Sequence, residues 1–158
     1  MSTAATREPV TLESAFCLDQ GFELTEYDGT SATLVCELQD RQKNRHGNAH
    51  GGVIAALLDT AMGLATRSSG RVENLGTVSL TVNYLKPASG RVTAHAQVRR
   101  CGRTLAFCDA EVRNAADDIV ATASAVFAVA PRGRSGTEPG TESGTESGGK
   151  PDIETSHA

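Results

Sequence analysis

Apolar and polar residues alternate along most of this chain, and one long helical run interrupts the alternation. Residues 21–27 alternate weakly and predict a strand. Residues 31–38 alternate more clearly, with Ala32, Leu34, Cys36 and Leu38 on one side. The second half reads as strand after strand. Residues 77–85 set Val78, Leu80, Val82 and Tyr84 on one face and Thr77, Ser79, Thr81 and Asn83 on the other. Residues 91–99 turn Val92, Ala94, Ala96 and Val98 inward, and strands over 104–112 and 119–129 follow. Turn residues separate these strands at Pro87 to Gly90, around Gly102, and from Asn114 to Asp118. Between the two groups, residues 52–66 predict a helix rich in alanine and glycine. It is apolar on nearly all sides, which marks a helix enclosed by other elements. A short helix over 11–18, capped by Thr11 with Leu12, Phe16 and Cys17 inward, precedes the first strand. The order predicts an α+β fold in which an antiparallel sheet of five to six strands wraps one long helix.

The alternation ends near Ala130 and Pro131. From Gly136 the chain reads GTEP-GTES-GTES-GG, a repeat that cannot bury enough apolar surface to offset its ordering entropy. Residues 1–131 are therefore expected to form one domain and 132–158 a disordered tail. A chain of 158 residues can build a core without staples, and with no Trp, two Tyr and four Phe that core must be aliphatic and alanine-rich. The net charge is −4. The last 28 residues hold three Lys/Arg against five Asp/Glu, half of that total. The domain thus carries no basic footprint for nucleic acid. Cysteines 17, 36, 101 and 108 form no C-x-x-C pair and read as free thiols. There is no apolar signal core at the N-terminus and no uncharged run of membrane-spanning length. A cytoplasmic protein with no membrane partner is expected.

Candidate chemistry concentrates between Asn44 and Thr66. Two glycines behind His50 lead into the helix, whose first turn offers unpaired N–H groups to an electron-rich ligand atom. Two turns on, Asp59 stands alone among Ile54, Leu57, Leu58, Ala61, Met62 and Leu64, where a carboxylate is costly unless paired, exposed at a cleft or useful. Plainer readings stand beside each of these. Asp59 could accept bonds from a neighbouring loop, Gly51 and Gly52 could serve a tight turn, and Asn44 could cap the loop. His46 and His50 precede the helix and lack carboxylate or cysteine company at ligand spacing, so no metal site is expected. His95, in an alternating strand without a motif, reads as structural.

His50-Gly51-Gly52, followed by Asp59 within Leu57-Leu58-Asp59-Thr60-Ala61, resembles the hotdog-fold acyl-CoA thioesterases of the phenylacetate-degradation type. Asn44, the stretch from Asn83 to Ala88 and that from Gly102 to Phe107 fit the same family, so the resemblance runs over about residues 44–129. It implies a hotdog fold and hydrolysis of an aryl- or acyl-coenzyme A to a carboxylic acid and free coenzyme A, as in aromatic acid degradation. It implies no cofactor, coenzyme A being part of the substrate. By matched position it makes Asp59 the nucleophile or the general base, and Gly51 N–H the donor to the thioester oxygen. Asn44 and either His50 or Gly52 would help that donor. Thr77 would place the water or the acid, although Ser79 and Thr81 share its face.

The chemistry is coherent without the family. Hydrolysis builds charge on the carbonyl oxygen, which fixed donors at a helix start stabilise. A carboxylate supplies or makes the oxygen nucleophile, and a thiolate leaves without a strong general acid. Gly51 and Asp59 are eight residues apart, about 12 Å along a helix, too far for one carbonyl to touch both in one chain. Two copies with antiparallel helices would bring Asp59 of one opposite Gly51 of the other, so a homodimer is expected as the minimal active unit. The resemblance adds that such dimers often pair into homotetramers. Ile54, Leu58 and Met62 are expected to line the acyl pocket. Arg99, Arg100 and Arg103, clustered at a turn, are candidates for the coenzyme's phosphates, or equally for charges that keep strand ends solvated. A non-catalytic acyl-CoA-binding hotdog protein is the alternative function; a hotdog hydratase would need a different Asp and His placement.

Overall fold

The computed structural model describes residues 10–132, so the tail expected over 132–158 lies, from residue 133 on, outside the described residues. A short helix α1 (Ala15–Asp19) leads into strands β1 (Phe22–Tyr27) and β2 (Ser31–Glu37). A 3-10 turn at Asp40–Gln42 follows, then the long helix α2 (Gly51–Ser68). Four strands complete the chain: β3 (Val72–Tyr84), β4 (Arg91–Cys101), β5 (Leu105–Asn114) and β6 (Ile119–Pro131). All six strands form one antiparallel sheet in the order β1-β2-β4-β5-β6-β3, with β3 at one edge. The α+β architecture and the upper strand count match the pattern of the sequence.

The inward faces of β2, β4, β5 and β6 follow the predicted alternation. At the centre of the sheet Ala32, Ala96, Ala110 and Ala123 stand side by side on four successive strands. This row keeps the surface low, so α2 settles onto it with Leu57, Leu58, Ala61 and Met62 fully buried. Phe127 is the largest fully buried side chain and is 1% exposed. Phe127→Ala is expected to cost about 3–5 kcal/mol in urea unfolding, because the surrounding strands can close the cavity only in part.

Four expectations are corrected. The helix expected over 11–18 begins only at Ala15, with Ser14 at its cap; Cys17 is buried but Phe16 is 55% exposed. Thr11 instead bonds Glu13. Second, α2 is not enclosed on all sides. Gly52 is exposed and Val53, Ala55, Ala56, Asp59, Thr60, Gly63 and Arg67 are half-buried, a side the chain's own elements leave uncovered. Third, β3 begins at Val72, five residues before the alternation predicts. Fourth, its faces are not those of a regular strand. Thr77 pairs with Phe127 and Ser79 with Val126, leaving Val78 as an extra residue; Leu75 is extra in the same way between Asn74 and Gly76. Each bulge reverses the alternation. Thr77 therefore shares the helix-facing side with Leu80, Val82 and Tyr84, while Leu75 and Val78 are each 61% exposed. Among the described residues no helix is long and apolar enough to cross a membrane.

Candidate active site

The loop before α2 is built by Asn44. Its Oδ1 accepts from the N–H of His46 (2.9 Å) and Asn48 (3.3 Å), its N–H donates to Asn48 O (2.7 Å), and its Nδ2 reaches Ala49 O (3.5 Å). Ala49 N–H is tied to Ala88 O across the β3–β4 turn, and His50 N–H to the carbonyl of the buried Gln42. Asn44 thus braces the loop, and its Oδ1 is fully engaged there.

This loop delivers His50 as the cap of α2. Its Nδ1 accepts from Gly52 N–H at 3.0 Å, which places a neutral ring's proton on Nε2. Its carbonyl accepts from Val53 N–H (3.0 Å) and Ile54 N–H (3.4 Å). Gly51 N–H makes no hydrogen bond among the described residues, so one donor of the first turn is left to face outward. Gly52, the other donor considered from the sequence, is already bonded to His50. A concavity of about 430 Å³ opens there, lined by Asn44, His46, Gly51, Ile54, Tyr84 and Lys86. The Tyr84 hydroxyl donates to Gly51 O at 2.8 Å, and a Cβ on Gly51 would lie 3.3 Å from the tyrosine ring. Only glycine allows this approach without displacement.

Asp59 faces a different concavity, of about 650 Å³, shared with Ala56, Thr60, Gly63, Leu64, Arg67, Asn74, Thr77 and Phe127. Thr77 Oγ1 donates to Asp59 Oδ1 at 2.8 Å, a contact that exists because the Val78 bulge turns Thr77 toward the helix. Asp59 Oδ2 makes no hydrogen bond among the described residues, so the acid keeps an oxygen for chemistry. Gly51 and Asp59 line separate hollows of the same chain.

Of the residues expected to form the acyl pocket, Leu58 and Met62 are 0% exposed and pack on the sheet, so they do not line it. Ile54 borders the Gly51 concavity and not that of Asp59. The helix was read as apolar all round, which conceals which side faces the sheet; the side that borders the Asp59 concavity carries Ala56, Asp59, Thr60 and Gly63.

The arginines divide. Arg99 borders the same hollow as the other two but is engaged by Asp109 (2.8 Å) and Gln97 (3.1 Å). Arg100 and Arg103 line a concavity of about 690 Å³ off the C-terminal end of α2, where Arg71, unnoticed in the sequence, joins them. None of these three forms an ion pair among the described residues. Asp28 in the same hollow accepts from the N–H groups of Thr30 and Ser31, which hold its carboxyl down to about 2. Tyr84 and Arg71 are the two residues sequence reasoning missed. A tyrosine on an inward face needs a partner for its hydroxyl, a signal that was present, whereas nothing marked Arg71.

Other nucleophiles and ligands recede. Burial pushes the thiols of Cys36 and Cys108 up, away from the reactive thiolate. His46 Nε2 is taken by Arg45. Among the described residues no group of three or more His, Cys, Asp or Glu could hold a metal ion.

Comparison with known proteins agrees with this architecture. The thioesterase superfamily profile matches residues 46–121. The medium/long-chain acyl-CoA thioesterase YigI of Escherichia coli is 32% identical over 126 residues, covering 69% of this chain and 81% of its own. A putative esterase of Halobacterium salinarum, VNG_1336C, is 43% identical over 74 residues. That match covers 45% of this chain and only 49% of the esterase. Among solved structures, the E. coli PaaI protein from the phenylacetic acid degradation operon superposes with a TM-score of 0.68 at 26% identity. The superposition covers 76% of this chain and 86% of PaaI.

Proposed function

The chain belongs to the hotdog-fold acyl-CoA thioesterases, and from that premise we propose that it hydrolyses an aryl- or acyl-coenzyme A at a site shared by two copies. The observation that carries this reading is the pairing of one open donor, Gly51 N–H, with one acid held by Thr77, set in different hollows of the same chain. Their separation of eight positions spans about 12 Å of helix, so a single thioester meets both only when a second chain supplies one of them. The uncovered side of α2, with its glycines and alanines, and the unpaired edge of β3 with Leu75 and Val78 exposed are the surfaces such a partner would cover.

In the proposed reaction the thioester carbonyl oxygen accepts from Gly51 N–H of one copy. Asp59 of the other either attacks the carbonyl carbon, forming an anhydride that water then opens, or takes a proton from the water that attacks. Negative charge gathers on the carbonyl oxygen, where the bond from Gly51 N–H strengthens. Collapse breaks the C–S bond and releases coenzyme A as its thiolate, which takes up a proton to give the free thiol. Thr77 fixes one oxygen of the acid and leaves the other free to react. Free thiol released from a panel of acyl-CoAs tests the activity directly, and binding without release would favour a non-catalytic acyl-CoA-binding protein.

Arg100 and Arg103, with Arg71, suit the coenzyme's phosphates. Ser69, on the rim of their hollow, lies ten residues beyond Asp59, about 15 Å along the helix direction. The pantetheine arm carries about twelve bonds between sulfur and the first phosphate, the length of four extended residues, or about 14 Å. Replacing Arg100 and Arg103 together by alanine is expected to raise KM for an acyl-CoA about tenfold with little change in kcat. The same acyl group on N-acetylcysteamine, which lacks the phosphates, should show no such change. Equal effects on both substrates would remove the arginines from phosphate binding.

A further inference from the structure

Gly51 N–H lies in the His50–Gly51 peptide plane, and because Gly51 has no Cβ to narrow its φ and ψ, the angle between that plane and the next depends on how each is held. The plane before it is held at the His50 carbonyl, which accepts from Val53 and Ile54 N–H. The plane after it is held at both ends. Gly52 N–H donates to His50 Nδ1 at 3.0 Å, and Gly51 O accepts from the Tyr84 hydroxyl at 2.8 Å. Every one of these restraints except Tyr84 comes from α2 or its own cap. Tyr84 reaches in from β3, 33 residues away, and its ring lies so close that a Cβ on Gly51 would be 3.3 Å from it. Tyr84 is 56% exposed and its hydroxyl could turn to water, so burial alone does not account for its pose.

We propose that Tyr84 is a positioning residue for the thioester-oxygen donor. By holding the Gly51 carbonyl and covering its α-carbon, it fixes where Gly51 N–H points and ties that direction to β3, the strand that also carries Thr77. The inference rests on the reading of Gly51 N–H as the oxyanion donor. A donor displaced by a fraction of an ångström keeps the substrate bound but stabilises the transition state less, so the effect belongs in kcat rather than in KM.

Tyr84→Phe tests this, because it keeps the ring and removes only the hydroxyl. The expected result is a kcat about tenfold lower on one acyl-CoA, with KM within about twofold and an unchanged melting temperature. In a Gly51→Pro background, which has no donor to aim, the same substitution should lower the residual rate no further. Wild-type kcat in Tyr84→Phe overturns the proposal. So does an equal fold-loss in both backgrounds, or a loss of activity that tracks a lower melting temperature. The amide resonances of Gly51 and Gly52 give a readout independent of turnover. They should shift in Tyr84→Phe, and unchanged signals overturn the clamp. A wild-type chain that releases no thiol from any acyl-CoA would instead defeat the thioesterase reading, while the amide signals would still decide whether Tyr84 holds Gly51.

Discussion

Asp59→Asn is expected to lower thiol release from acyl-CoA by about 10²–10⁴, the range lost when a positioned acid–base group is removed. The substitution is close to isosteric. The amide oxygen can still accept from Thr77 Oγ1, now 2.8 Å from Asp59 Oδ1, so the side chain should keep its place and lose only its charge. Asp59 is half-buried on the uncovered side of α2, so folding should be little affected. KM should stay near its wild-type value. Near-wild-type release by Asp59→Asn would take the acid out of the mechanism. Label found in Asp59 after a single turnover in oxygen-18 water would show direct attack, with the anhydride opened by water at the aspartyl carbonyl, since water activation leaves none there.

Gly51→Pro should lower the rate by about 10²–10³, the loss typical of one oxyanion donor. Proline removes the N–H that has no partner among the described residues, and does so at the first position of a helix, where it is best tolerated. His50, at φ −65° and ψ 135°, already holds the extended conformation that a residue before proline adopts. The Tyr84 ring, 3.3 Å from the added Cβ position, must yield by a few tenths of an ångström. The informative result comes from combining the two inactive chains. In a mixed dimer, one site would draw an intact Gly51 from the Asp59→Asn chain and an intact Asp59 from the Gly51→Pro chain. The other site would carry both lesions. Random assembly makes half the dimers mixed with one working site each, so refolding the chains together should restore about one quarter of wild-type activity. No recovery would mean that both groups act within one chain, against the 12 Å estimate.

The alternating strands were legible because one face of each is buried, and Val92, Ala94 and Ala96, like Ala106, Cys108 and Val112, sit where period-two reading puts them. The motif on α2 was legible because glycines beside histidine and a lone acid are uncommon together. Where the reading failed, the cause was loss of period. Leu75 and Val78 each add a residue to β3, so strict alternation starts late and sends Thr77 to the wrong face. An all-round apolar helix has no phase, so Leu58 and Met62 looked as suitable for a pocket as Ala56 and Gly63. Tyr84 was placed on its correct face, but its partner lies 33 residues away, and no local pattern reports a contact of that range. Whether Gly52 would help the Gly51 donor was likewise open until His50 was seen to take the Gly52 N–H.

The row of alanines at positions 32, 96, 110 and 123 acts as a spacer of adjustable thickness. Gly51 and Asp59 ride on the helix above it, while the groups that hold them, Tyr84 and Thr77, ride on the strand at the rim. A methyl group added anywhere in the row would lift the helix against the rim and stretch both contacts at once, at an overpacking cost of roughly 1–3 kcal/mol. Selection for turnover and selection for packing therefore fall on the same four small side chains, and drift in the middle of the sheet would register as altered catalysis well away from the substrate.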